Sequence, residues 1–185
     1  MASKTKPVVL VPGILGSELV ISGTTVWANN FNALKIIMNP SLLLPWVPAD
    51  AQRPISQYDG FINFLESEIG YQIGVDLFPF GYDWRTGIEP AASALAQYIE
   101  KNVRMIHGGP IVFIAHSFGC LVVRWAIVKG LIKSNQIELV VAAGPPSLGG
   151  AKAFKSVLEM PSLSDTFDAL YNLAKKNLAF LGKAA

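Results

Sequence analysis

Ile111-Val112-Phe113-Ile114-Ala115-His116-Ser117-Phe118-Gly119-Cys120 is the stretch whose reading decides the fold. Ile111 to Ala115 are all apolar and mostly β-favouring, a serine follows, and an apolar helical run begins just after it. The order strand, sharp turn, helix puts Ser117 at the apex. The pattern is G-x-S-x-G with Ala115 in the first glycine position, the form of a nucleophile elbow. Small residues are needed two places before and after the serine, because the chain segments meeting there leave no room for a larger side chain. Such a turn pushes the hydroxyl out above the sheet and frees the next amide, that of Phe118, to face an oxyanion. Taken alone, the same residues also fit a buried strand-to-helix turn that merely contains a serine.

Outside this stretch, composition narrows the classes. A chain of 185 residues can bury a real core, and it contains neither repeats nor a low-complexity linker, so a single domain over residues 1–185 is expected. Hydrophobic residues make up 51%, charged residues 15%, and the mean hydropathy is +0.40. That is apolar enough that both faces of a sheet must be covered, or some apolar surface must serve a ligand or partner. The net charge of +2 comes without a clustered basic stripe, which argues against nucleic acid. A single cysteine, Cys120, excludes an intrachain disulfide framework, and two histidines, His107 and His116, are too few for a zinc site of the usual kind. No cofactor or metal is expected. Residues 1–6 are polar and no apolar stretch precedes a cleavage site, so the expected location is cytoplasmic. The apolar stretch Ile36 to Ala49 is interrupted by Pro40, Pro45 and Pro48 and is unsuited to spanning a membrane.

Read from the start, Pro7-Val8-Val9-Leu10-Val11 is a continuous apolar run, as in a strand buried on both faces. Pro12-Gly13-Ile14-Leu15-Gly16-Ser17 follows as a glycine-containing loop whose amides can face a ligand. No Gly-Lys-Ser/Thr and no G-x-G-x-x-G occurs, which speaks against nucleotide binding. Residues 19–57 are the least regular. Val26, Trp27, Phe31, Leu34, Ile36, Ile37 and Met38 suggest a short helix or interfacial segment. Ser41 to Pro48 reads either as a core-covering loop or as a lipid-docking surface, in which case a peripheral membrane contact is expected.

Tyr58 to Gly70 has helical spacing, Val75 to Phe80 is a strand with Pro79 at its end or on an edge, and Glu89 to about Ile106 is a helix with Leu95, Ile99, Val103 and Ile106 facing inward. After the Ser117 elbow comes a helix to about Lys129, closed by Gly130, and Ile137 to Ala143 is a further buried strand. Gly144 to Gly150 forms a loop, and residues 151–185 read as helix. The alternation predicts a mostly parallel sheet of about four strands with helices on both faces, with ligands at the carboxyl ends of the strands.

Four segments then form an ordered set: Val11-Pro12-Gly13-Ile14-Leu15-Gly16-Ser17, Phe80-Gly81-Tyr82-Asp83-Trp84-Arg85, Ala115-His116-Ser117-Phe118-Gly119-Cys120 and Gly144-Pro145-Pro146-Ser147-Leu148-Gly149-Gly150. Together they resemble the lecithin:cholesterol acyltransferase family, and the compact spacing is most similar to its bacterial members. The resemblance covers roughly residues 7–155. It implies a partial α/β-hydrolase fold and action on a lipid or acyl ester, as hydrolase or O-acyltransferase, through an acyl-enzyme. It implies Ser117 as nucleophile and Ile14, with Leu15 second, and Phe118 as oxyanion-hole positions. Gly13, Leu15, Tyr82, Trp84, His116 and Pro146 would line the site, the Tyr82–Arg85 segment acting more as structure than as chemistry. Pro145 stands where the family more often has Thr or Ala.

The set is chemically incomplete. A serine needs a histidine base oriented by an acid, and in this fold both follow the serine in the chain. No histidine follows Ser117. His116 diverges from its neighbour in the turn. His107 precedes the strand, so at ~3.3 Å per residue it lies roughly 15 Å from the serine. Asp165 and Asp168 read as helix-cap and surface residues. The expectation is therefore the amino-terminal part of a longer hydrolase, with an exposed edge at the Ile137–Ala143 strand and weak or no esterase activity by itself. The alternatives are a non-catalytic domain that binds lipid or a partner chain, and a base supplied by another subunit. Oligomeric state is not legible.

Overall fold

The computed structural model describes residues 6–27 and 40–149. Its centre is a four-stranded sheet in the order Leu77–Pro79, Val8–Val11, Ile111–His116, Ile137–Ala143, every pair parallel. The strands are β1 (Val8–Val11), β5 (Leu77–Pro79), β6 (Ile111–His116) and β7 (Ile137–Ala143). β1 and β6 lie inside, which is why their sequences are apolar without alternation. Along β1 the side chains divide by parity. Val8 and Leu10 pack with Ile62 and Leu65 of helix α1 (Asp59–Ser67). Val9 and Val11 join Leu95 of α2 (Ile88–Tyr98) and Val122 and Val123 of α3 (Phe118–Val128). Helices thus cover both faces, and all loops after strand carboxyl ends gather at one end. This is a partial α/β-hydrolase fold, as the sequence predicts.

A second sheet departs from the sequence reading. β2 (Ser17–Ile21), β3 (Thr24–Trp27) and β4 (Asp50–Pro54) form an antiparallel sheet in the order β3-β2-β4. Val26 and Trp27 therefore belong to a strand and not to a helix. The hairpin turns at Ser22 and Gly23, both with positive φ (49° and 74°), the geometry a two-residue connection needs to match strand twist. The rest of the predicted segment, residues 28–39, lies outside the described residues, as does the helix predicted for 151–185 with Asp165 and Asp168.

Two further expectations are corrected. Ile106 is exposed. The helix continues from α2 as a π turn over Ile99–Val103, with Arg104 N–H bonded to Ile99 C=O, and the extra residue per turn rotates the positions after it out of phase. β7 is not buried: Leu139, Val140 and Val141 are exposed, and β7 is an edge of the sheet among the described residues, as the reading of an unpartnered edge anticipates. Pro79 ends β5 at the opposite edge. Among the described residues no helix is long and apolar enough to cross a membrane.

Candidate active site

Ser117 sits between β6 and α3 with φ 49° and ψ −120°, a conformation that L-residues rarely hold. Its backbone is fastened on both sides. Ser117 N–H donates to Ala143 C=O at 2.8 Å, at the end of β7, and its own carbonyl accepts from Cys120 N–H at 3.0 Å. Cys120 packs behind the turn with its thiol donating to Ala115 C=O at 3.1 Å, and burial pushes its pKa up. Phe118 is the first residue of α3, so its N–H has no intrahelical acceptor.

Small residues around the serine are required by a neighbour that local reading does not show. A Cβ on Gly119 would lie 2.4 Å from Pro12 O and 2.6 Å from Val11 O. The close approach is thus between α3 and the end of β1. Gly13 comes near from the other side, though less tightly: a Cβ there would stand 3.1 Å from Ser117 Cβ and 3.2 Å from His116 Nδ1. The Gly13–Gly16 loop and the elbow are in contact.

That loop has its carbonyls tied down. Pro12 C=O accepts from the Tyr82 hydroxyl (2.9 Å), Gly13 C=O from Gly16 N–H (3.0 Å), Leu15 C=O from Trp27 Nε1 (2.8 Å) and Gly16 C=O from Ile55 N–H (3.0 Å). Carbonyl and N–H of one trans peptide point opposite ways. With Gly13 C=O turned to Gly16, the Ile14 N–H faces away from the loop's own bonds. Ile14 and Leu15 side chains are exposed, and Leu15 adopts φ 61°.

Tyr82 and Trp84 do not line the site. Tyr82 is 1% exposed and supports the loop from beneath, and Trp84 Nε1 donates to Ser17 C=O at 3.3 Å while its ring meets Trp27 edge-on. Arg85 is the strongest brace. Its guanidinium pairs with both Asp83 oxygens (2.8 and 2.6 Å) and donates to the Leu42 and Val47 carbonyls (2.7 and 2.9 Å). It thereby holds the 42–47 segment, on which Trp46 is 73% exposed. Arg85→Met leaves the Asp83 carboxylate unpaired and should lower unfolding stability by about 3 kcal/mol in urea titration, whereas a surface cation such as Lys129 should cost under about 1 kcal/mol.

The histidines are placed as far from a base role as the sequence suggests. His107 bonds Val75 C=O and meets Phe78 edge-on, at the amino end of the sheet. His116 Nδ1 is taken by the Tyr58 hydroxyl at 2.8 Å. Neither is hydrogen-bonded to Ser117. Pro146 is half-buried in a turn closed by Gly149 N–H, and its neighbours Pro145 and Ser147 border an apolar hollow of about 290 Å³ against Cys120 and Val123 of α3 and Val140 of β7. A larger cavity, about 660 Å³, lies across β5 between α1 and the end of α2 and includes none of the elbow residues. Sequence reasoning missed Tyr58, Ser17 and Trp27. Ser17 is fully buried, its hydroxyl accepting Tyr82 N–H at 3.0 Å, and only its place in a quoted motif hinted at that.

The parallel sheet, the serine elbow and the glycine loop at its side define the α/β-hydrolase class. Residues 49–165 match the family model described as lecithin:cholesterol acyltransferase, and the chain belongs to that family. The match includes three of the four quoted segments and begins after the Val11–Ser17 loop. The lysosomal phospholipase A and acyltransferase of Rattus norvegicus is 31% identical over 112 residues, 57% of this chain and 26% of the relative. That of Mus musculus gives the same figures, and that of Canis lupus familiaris is 32% identical over 102 residues. The chain spans about a quarter of the length of these curated relatives (26% and 25%).

Proposed function

We propose that these residues carry the nucleophile and oxyanion hole of a lipid acyl hydrolase or O-acyltransferase. Ser117 attacks the ester carbonyl, the Ile14 and Phe118 amides hold the oxyanion, the alcohol leaves, and the acyl group passes from Ser117 to water or to an acceptor alcohol. The observation that carries this reading is the strained Ser117 conformation, held in place against a loop whose Pro12, Gly13, Leu15 and Gly16 carbonyls are bonded elsewhere. Strain of this kind, about 1–3 kcal/mol, persists only where surrounding structure fixes it, and it clusters at reactive sites. The relatives named as phospholipase and acyltransferase support the lipid ester as substrate class. The exposed Ile14, Leu15 and Trp46 support a lipid-facing surface.

The sequence holds only His107 and His116, so in this reading the base comes from outside these 185 residues. Added imidazole should therefore stand in for the base. A fluorophosphonate probe is expected to label the chain slowly, faster in proportion to imidazole, and Ser117→Ala should remove the label. Rapid labelling or ester turnover without imidazole would contradict the missing base. No labelling at any imidazole concentration, in folded protein, would favour the second reading, a binding domain that keeps the pocket without the chemistry.

A further inference from the structure

Tyr58 occupies a position that neither the fold nor the quoted motifs require. It ends the short 3-10 turn Ser56–Tyr58 and immediately precedes α1. Its half-buried ring packs on the Val8, Leu10 and Ile62 cluster and meets the His116 ring edge-on at 5.9 Å. Its hydroxyl touches two groups at once: it accepts from Gly13 N–H at 2.9 Å and lies 2.8 Å from His116 Nδ1.

We infer that Tyr58 is a positioning residue, whose hydroxyl ties the Gly13–Gly16 loop to the serine elbow and so fixes the direction of the Ile14 amide beside Ser117. The Pro12–Gly13 peptide is held at both ends, its C=O by the Tyr82 hydroxyl and its N–H by Tyr58. A peptide clamped on both sides cannot rotate, and the next N–H along the chain is that of Ile14. The far end of the bridge is His116, the residue next to Ser117. The Tyr58 oxygen accepts from Gly13 and carries a proton of its own, which in this bridge it donates to His116. The neutral imidazole then accepts at Nδ1 and carries its proton on Nε2. Burial raises the Tyr58 pKa, the Gly13 amide lowering it in part, so the hydroxyl keeps the proton it donates. His116 thus enters the site as an anchor for the loop, a role that its exposure and its distance from base duty leave open. The importance of the Ile14 direction rests on the function proposed above, whereas the bridge itself does not.

The test is made on the 15N-labelled chain. Imidazole 15N resonances of neutral His116 should show Nδ1 as unprotonated acceptor and Nε2 as the protonated nitrogen. In Tyr58→Phe the tautomers should move toward the free-imidazole mixture, Gly13 amide exchange should rise about tenfold, and the Ile14 amide resonance should shift. Imidazole-assisted fluorophosphonate labelling of Ser117 should slow about tenfold at saturating probe, with half-saturation unchanged. A His116 that already shows the free-imidazole tautomer mixture in the unsubstituted chain would overturn the bridge even if Tyr58→Phe failed to fold. Gly13 and Ile14 amides unmoved in a folded Tyr58→Phe, or labelling at the unsubstituted rate, would overturn the positioning role. Absence of Ser117 labelling in the unsubstituted chain would remove the proposed function, while the tautomer and amide readouts would still decide the bridge.

Discussion

Gly119→Ala should lower unfolding stability by about 3 kcal/mol, a large share of the roughly 5–15 kcal/mol available to a domain of this size. The added methyl would meet Pro12 O at 2.4 Å and Val11 O at 2.6 Å. Both are backbone atoms at the end of an inside strand, so no side chain can swing away. Relief requires α3 to move off β1, which opens the contact of Val122 and Val123 with Val9 and Val11. Gly60→Ala is the matching control. It lies in the first turn of α1 with nothing within 4 Å of its Cβ position, so there the better helix propensity of alanine should dominate, a gain of up to about 1 kcal/mol. Urea titration of the two variants separates steric necessity from glycine content. An equal, small effect at both positions would show that the elbow tolerates a looser approach than its geometry implies.

Ser117→Gly should do two opposite things. It removes the hydroxyl and with it all Ser117-dependent labelling, a loss of at least about 10³-fold. It also releases the strain of φ 49° and ψ −120°, which glycine adopts freely, and so should raise stability by about 1 kcal/mol. Opposite signs at one position are the mark of a residue retained for chemistry against the preference of the fold. A destabilised Ser117→Gly would mean that the hydroxyl holds the turn together, and the case for a reactive serine would weaken.

The sheet was legible because its inner strands are apolar on both faces. Val8–Val11 and Ile111–Ala115 can only be buried, and the crossover lengths between them leave a parallel arrangement. The antiparallel sheet was not read, although Ser22-Gly23 between Leu19-Val20-Ile21 and Thr24-Thr25-Val26 is a hairpin signal. The bulky apolar residues beyond it mask the alternation. Ile106 was misplaced because helical periodicity carries no mark of a π turn. The serine elbow was legible as a local pattern. Its steric cause was not, since the atoms that demand Gly119 belong to the end of β1 and the residue after it, far away in the chain. Tyr58 left no trace at all: a tyrosine before a helix has no spacing relation to Gly13 or His116, and the three meet only when the loop folds onto the sheet.

The most direct test of the central claim is to mix the chain with 4-nitrophenyl butyrate and imidazole, quench in acid and map the peptides by mass spectrometry. In the proposed reading the added imidazole serves deacylation as well as acylation, so the acid quench should trap a butyryl group on the peptide containing Ser117, absent from Ser117→Ala. Butyryl groups on Lys or Tyr side chains alone, with the Ser117 peptide unmodified, would contradict the account.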